Sequence, residues 1–125
     1  SEAVEAKPFA RVVGMAKAVE ATELFFDGRI AGIFLDQHST EALDSTEGLI
    51  DALRVIEGTD VSLLLKWKEE NVFRVSMRSK KTNVSKVAIS FSGGGHERAA
   101  GCTLKMSFSE AKRTILEALE KAMEK

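Results

Sequence analysis

The feature that most constrains the fold is a pair of stretches, residues 61–67 and 73–77, in which every second residue is apolar. The apolar positions are Val61, Leu63, Leu65 and Trp67 in the first stretch and Phe73, Val75 and Met77 in the second. Because successive side chains of a strand point to opposite faces, this pattern predicts two strands that each bury one face. A turn over residues 69–71 lets them pair, and the opposite face of the second strand carries Arg74, Ser76 and Arg78.

Apolar residues at helical spacing flank these two strands. The sequence predicts a helix over residues 8–22, a helix that begins at Asp44 with Glu47 in its first turn and ends at Gly58, a short helix over residues 84–91, and a closing helix that begins with a capping box of Ser107 and Glu110.

Three further strands are predicted. Residues 23–26 and 29–35 flank Asp27-Gly28, a dipeptide typical of tight hairpins, and residues 101–106 follow a glycine-rich segment. Residues 36–40 are expected to form a polar loop. We therefore expect an α/β fold of the α+β type, with a single mixed five-stranded sheet covered by about four helices.

Composition bounds the class of protein. At 125 residues, 44% of them hydrophobic, the chain is predicted to be one soluble globular domain. It has no apolar run near the ~20 residues of a membrane span and no signal peptide, and its lone Cys102 fits a reducing compartment, so we expect a cytoplasmic protein with no membrane partner. The chain does not begin with Met, and residues 1–7 are interpreted as a leader or a remnant of an interdomain linker before a domain over residues 8–125.

Charge is distributed unevenly along the chain. Residues 1–60 contain 5 basic and 12 acidic residues, whereas residues 61–105 contain 9 basic and 3 acidic residues. A local basic surface indicates a ligand that carries phosphate, such as a nucleotide or an oligonucleotide. Lysines clustered on a sheet edge would give the same count and are the alternative.

The basic block contains three consecutive glycines, Gly93, Gly94 and Gly95, followed by His96 and then by Arg98. Glycine reaches positive φ and lets another molecule approach the backbone closely. Backbone N–H groups beside an imidazole and a guanidinium are suited to binding an anion. The alternative is that the glycines only end the preceding helix, although a helix C-cap needs one glycine.

Arg78 and Ser79 end a predicted strand and are joined to the glycines by only a short helix, so the two segments could converge on one ligand. The planar guanidinium of Arg78 suits a phosphate or a base edge. A surface ion pair with Glu69, Glu70 or Glu97 is the alternative for Arg78. For His96 the alternative is a cap of the turn that follows the glycines.

Little in the sequence indicates catalysis. His38, His96 and Cys102 lack the spacing of metal ligands, and Cys102 is expected to pack as a small hydrophobic residue. Ser92 lacks the flanking residues of a nucleophile elbow. We therefore expect no catalytic residue and no bound metal in this chain.

Four segments of the sequence carry a family resemblance: residues 73–80 (Phe-Arg-Val-Ser-Met-Arg-Ser-Lys), 84–88, 93–96 (Gly-Gly-Gly-His) and 99–102. Together they resemble the C-terminal DHH-associated domain of DHH-superfamily phosphoesterases, above all the bacterial nano-RNase and pAp phosphatase branch. The combination of Gly-Gly-Gly-His with an upstream Ser-x-Arg-Ser is the specific part. The resemblance covers residues 45–106 well and the rest loosely.

The resemblance implies a division of labour. In that family an N-terminal DHH domain holds two divalent metals, usually manganese, and hydrolyses the substrate, while the C-terminal domain holds the nucleotide. Carried over by position, Arg78 and Gly93 to His96 would bind substrate, with Ser79 and Arg98 as secondary candidates. This chain has no DHH motif, so the metals are expected only in a DHH domain of the same polypeptide.

The function implied is the nucleotide-binding domain of a metal-dependent phosphoesterase that hydrolyses short oligoribonucleotides or small nucleotides such as pAp. This chain is expected to be inactive alone, with short RNA and the DHH domain as its partners. Two alternatives stay open at this point. One is a stand-alone module that binds nucleic acid or a cyclic dinucleotide, and the other is a dimerisation domain that forms a homodimer.

Overall fold

The computed structural model describes residues 6–124, and this part of the chain contains five helices and six strands. The predicted leader over residues 1–7 lies mostly outside the described residues. In chain order the elements are α1 (Phe9–Glu20), β1 (Glu23–Phe25), β2 (Ile30–Leu35), α2 (Gln37–Glu41), α3 (Leu49–Leu53), β3 (Val61–Glu69), β4 (Val72–Ser79), α4 (Val84–Ser90), β5 (Gly94–His96), β6 (Ala99–Leu104) and α5 (Phe108–Met123).

The strands form one mixed sheet in the order β1-β2-β3-β4-β6-β5. Strands β2 and β3 are parallel, and the other neighbours are antiparallel. Parallel neighbours need a crossover, which the segment containing α2 and α3 provides. The predicted α+β class with a single mixed sheet is therefore confirmed.

One face of the sheet is fully covered. Burial alternates strictly along β4, as the sequence pattern predicts, and also along β6. Helices α4 and α5 pack on this face, and α5 begins with the predicted capping box of Ser107 and Glu110. The buried residues of the two strands are Phe73, Val75, Met77, Ser79, Ala100, Cys102 and Leu104.

The other face is covered only over part of its width. Helices α1 and α3 pack on β2 and on Leu64 of β3, through Ala18 and Leu49 among others. On the same face α3 reaches the near side of β4, but the residues of β4 and β6 there are half-buried or exposed. We call this region the open face; its residues are Arg74, Ser76, Arg78, Ala99, Gly101 and Thr103.

The structure corrects the predicted strand count. The sheet has six strands rather than five, because Gly94–His96 pairs with residues 99–101 and adds the edge strand β5. The hairpin of β1 and β2 has a longer turn than predicted, since the Arg29 N–H donates to the Phe26 carbonyl at 3.2 Å. The glycine segment is therefore part of the sheet and not a free loop.

The region between β2 and β3 also differs from the prediction. The expected polar loop contains α2, whose N-cap residue Asp36 accepts a hydrogen bond from the Ser39 N–H at 2.9 Å. The predicted helix from Asp44 to Gly58 is only α3, because Gly48 adopts φ of +92° directly before it and residues 54–58 form turns. The Glu47 N–H donates to the Ser45 hydroxyl at 3.0 Å, so Asp44 does not cap a helix.

Candidate anion-binding site

The glycine segment begins where α4 ends. Ser92 adopts φ of +65°, and the N–H of Gly93 donates to the Ala88 carbonyl at 2.8 Å. These are the features of a helix C-terminus closed by a left-handed residue. The left-handed cap residue is therefore Ser92 and not a glycine, so the alternative that the glycines serve as the helix cap is wrong; Gly93 only donates the closing hydrogen bond, and Gly94 and Gly95 lie beyond the cap.

Close packing explains two of the three glycines. A Cβ on Gly93 would lie 2.2 Å from the Gly101 carbonyl oxygen, and a Cβ on Gly95 would lie 2.6 Å from the Ala99 carbonyl oxygen. Gly95 also has φ of +139°, which side chains disfavour. Gly94 has neither constraint, since a Cβ there would meet no described atom within 4 Å. The backbone at Gly94 thus faces open space.

Strand β5 lies at the edge of the sheet. Gly94, Gly95 and His96 pair with Gly101, Ala100 and Ala99 respectively, and all three residues of β5 are exposed. An edge strand has a neighbour on one side only, so about half of its N–H groups point away from the sheet. The pair His96↔Ala99 closes a two-residue turn, so the alternation of an antiparallel ladder leaves the N–H of Gly95 on the outer side, free of the sheet.

The sheet register brings Arg78 and His96 into one row. Arg78 of β4 is opposite Ala99 of β6, and Ala99 is opposite His96 of β5. Residues directly opposite each other point to the same face, so both side chains belong to the open face, with backbones about 10 Å apart. We call Arg78, Ala99 and His96 the donor row. The adjacent row contains only Ser76, Gly101 and Gly94, which form a floor of small residues.

The two polar side chains of the donor row have donors to spare. Arg78 is half-buried, and its Nη1 donates to the Met77 carbonyl at 3.1 Å. Within residues 6–124, Arg78 forms no ion pair with Glu69, Glu70 or Glu97, and the ring of exposed His96 forms no hydrogen bond. Neither the ion-pair alternative for Arg78 nor the capping alternative for His96 is therefore observed.

Ser79 and Arg98 fasten the β5–β6 turn to the segment that follows β4. The hydroxyl of buried Ser79 donates to the Thr82 carbonyl and lies 3.3 Å from the Glu97 carbonyl. The Nη1 of Arg98 donates to the same Thr82 carbonyl at 3.1 Å. These contacts give both residues a positioning role, and their direct contact with a ligand stays a prediction.

Asp60, which directly precedes β3, binds residues 80–82, the segment that follows β4. Its Oδ1 accepts the N–H groups of Lys80 and Lys81 at 3.0 and 2.7 Å, and its Oδ2 accepts the Thr82 hydroxyl at 2.7 Å. Partial burial raises the pKa of this carboxyl, but the hydrogen bonds from Thr82 and the two backbone N–H groups outweigh burial, so the pKa lies below its ordinary value. The role of Asp60 could not be predicted from sequence, because nothing near it in the chain indicates contact with residues 80–82.

Cys102 lies beneath the site and packs in the core, as predicted. Burial raises the pKa of its thiol to about 11, so the thiol is protonated and unreactive at neutral pH.

In the part of the chain that the structure describes, no three His, Cys, Asp or Glu side chains are grouped closely enough to hold a metal ion. No helix in residues 6–124 is both long and apolar enough to cross a membrane.

Fold and site together define an α+β domain that carries Arg78 and His96 in one row on a partly uncovered sheet face. The chain belongs to the DHHA1 domain family, which matches residues 29–125. It is 31% identical over 111 residues to the bifunctional oligoribonuclease and PAP phosphatase NrnA of Thermus thermophilus, an alignment that covers 87% of this chain and 34% of that protein. The chain is therefore a DHH-associated domain of the nano-RNase and pAp phosphatase branch, as the sequence resemblance predicts.

Solved structures share the fold. An exopolyphosphatase-related protein from Bacteroides fragilis superposes with a TM-score of 0.82 at 24% identity, over 93% of this chain and 36% of that one. The pGpG-specific phosphodiesterase PggH from Vibrio cholerae superposes with a TM-score of 0.65 at 14% identity, over 90% of this chain and 38% of that one. The chain thus spans about a third of the length of these relatives.

Proposed function

We propose that this domain holds the substrate of a metal-dependent phosphoesterase that hydrolyses short oligoribonucleotides or small nucleotides such as pAp. The observation that carries the proposal is the donor row, in which Arg78 and His96 flank Ala99 beside the exposed backbone of Gly94. A guanidinium fork, an imidazole and outward backbone amides are the donors that phosphate requires. The Thermus relative, named for both oligoribonuclease and PAP phosphatase activity, supports this choice of substrate.

Hydrolysis itself is assigned to a DHH domain of the same polypeptide, with two manganese ions that activate water. The residues of this chain then have a single task, which is to hold the phosphate and base in position for attack. The open face suits that task, because it becomes covered only when another domain closes over it. The small residues Ser76, Gly101 and Gly94 leave room for the substrate between the two domains.

The test is a calorimetric titration of this chain with pAp and with an RNA dinucleotide, at low salt and without metal. Arg78→Ala and His96→Ala are each expected to weaken binding about tenfold, because a hydrogen bond to a charged group contributes about 1.5–3 kcal/mol. Lys86→Ala is the control, since Lys86 is exposed on α4 and lies outside the donor row. Its affinity is expected to equal that of the wild type.

A second measurement tests the case in which the binding site forms only when the two domains close together. In the polypeptide that also carries the DHH domain, Arg78→Ala and His96→Ala are expected to lower kcat/KM by about 10²-fold or more. Kinetics that stay at the wild-type level in both variants would contradict the proposal.

A further inference from the structure

A groove of about 760 Å³ adjoins the donor row on the side of Arg74. It exists because β5 pairs only with residues 99–101, so β6 from Cys102 to Leu104 has no described neighbour on that side. The end of α4, at Phe91 and Ser92, forms one wall, and residues 103–106 form the other. The volume lies within the ~300–1,000 Å³ typical of small-molecule sites.

The groove is cationic. Arg74 and Lys105 are both exposed, and no Asp or Glu lines the groove. Neither side chain forms an ion pair within the described range. Lys66 lies opposite Arg74 in the sheet and adds a third positive charge next to the groove. Charge complementarity therefore favours a polyanionic occupant over a peptide strand on the free edge of β6.

The spacing of the cations indicates more than one phosphate. Arg74 and Arg78 are four residues apart on the same face of β4, about 13 Å along the strand. This separation would allow the two guanidinium groups to bind different phosphates of one chain. Phe91, half-buried in the groove wall, offers an aromatic side chain on which a base of any identity can stack.

We propose that this groove is a second subsite, which binds the nucleotides that continue a single strand of RNA beyond the phosphate at the donor row. Arg74 and Lys105 bind the phosphodiester backbone, and Phe91 stacks on a base. The inference rests on the proposed function and extends it, because it predicts that affinity rises with the length of the oligonucleotide.

The experiment compares the affinity of this chain for pAp and for an RNA pentanucleotide, between about 50 and 200 mM salt. We expect the pentanucleotide to bind at least about tenfold more tightly than pAp. In the double variant Arg74→Gln with Lys105→Gln, the pentanucleotide is expected to bind no more tightly than pAp. The slope of log K against log salt is expected to fall by about 1.4, because two phosphate contacts are lost. Its affinity for pAp is expected to stay within about twofold of the wild type.

Two further variants separate charge from stacking. The control variant Lys86→Gln with Lys121→Gln removes the same net charge at two exposed positions away from the groove. It is expected to bind the pentanucleotide more tightly than pAp by the same factor as the wild type. Phe91→Leu keeps an apolar side chain against the core but removes the aromatic ring. It is expected to reduce the affinity for the pentanucleotide relative to pAp without changing the slope of log K against log salt.

The outcomes separate the two proposals. A pentanucleotide that binds no more tightly than pAp, or a gain that survives the double substitution, overturns the subsite and leaves the donor row in place. A chain that binds neither ligand also overturns the subsite, whereas the proposed function is then decided by the kinetics of the two-domain polypeptide.

Discussion

The hydroxyl of Thr82 donates a 2.7 Å hydrogen bond to the carboxylate of Asp60, which precedes it by 22 residues. The carbonyl of the same Thr82 accepts hydrogen bonds from Ser79 and Arg98. One residue thus connects the segment before β3 to the hairpin that carries His96. The position of the donor row therefore depends on a carboxylate that lies outside it.

Asp60→Ala is expected to lower the free energy of unfolding by about 2 kcal/mol, because several hydrogen bonds to one charged acceptor are lost together. Urea denaturation measures this difference. Asp51→Ala is the control, since its ion pair with Arg54 is exposed on both sides and is expected to contribute less than about 0.5 kcal/mol. Equal losses in the two variants would contradict the anchoring role.

The contribution of Asp60 is expected to depend on pH. Its folded pKa lies below the ordinary 3.8, and a lowered folded pKa gives stability that is present above the unfolded pKa and is lost as pH falls through the folded pKa. The difference in unfolding free energy between wild type and Asp60→Ala should therefore be constant above about pH 5 and shrink below about pH 4. A difference that is unchanged at about pH 2.5 would count against the hydrogen bonds in the structure.

Two neighbouring glycines are expected to respond differently to the same substitution. Gly95→Ala introduces a methyl group against the Ala99 carbonyl at positive φ, and we expect it to cost about 2–4 kcal/mol of stability. Gly94→Ala meets open space and is expected to change stability by less than about 1 kcal/mol while weakening the binding of pAp. Urea denaturation and titration test the pair, and a Gly94→Ala variant with wild-type affinity would show that no ligand approaches this backbone.

Cys102 is expected to resist alkylation in the folded protein. Its thiol pKa of about 11, against an ordinary 9.0, lowers the thiolate fraction at neutral pH about 10²-fold, and burial restricts access further. The rate of reaction with iodoacetamide should therefore rise by at least about 10²-fold when urea unfolds the chain. Similar rates in the folded and unfolded chain would mean that Cys102 is reached through the groove.

The central part of the fold could be predicted from sequence, because its residues carry their own periodicity. Alternation along β4 indicates both the strand and its buried face, and helical spacing identifies α4 and α5. Alternation also located β3, but the prediction that β3 buries one face was wrong, because residues 61–65 are buried on both faces of the sheet. The strand β5 could not be predicted in this way. Glycine has a low intrinsic preference for strands, and Gly94 and Gly95 join the sheet only because β6 lies beside them.

Only part of the candidate site could be predicted, because the sequence gives the types of its residues but not how the sheet arranges them. Sequence indicated that Arg78 and His96 carry suitable donors, but only the sheet register shows that one residue, Ala99, separates them. Asp60 illustrates the opposite case, since its partners lie about 20 residues away and no local pattern marks them. Likewise, the positive φ of Gly48 ends a helical pattern that the apolar spacing alone would continue.

The edge position of β5 has a consequence for how the domain opens. Its three residues are exposed and bonded to a single neighbouring strand, so detaching them uncovers almost no apolar surface. The backbone amides of β5 that bond to β6 are therefore expected to exchange with solvent at a free-energy cost well below that of global unfolding. A bound ligand would slow this exchange, so protection of the glycine amides reports occupancy directly.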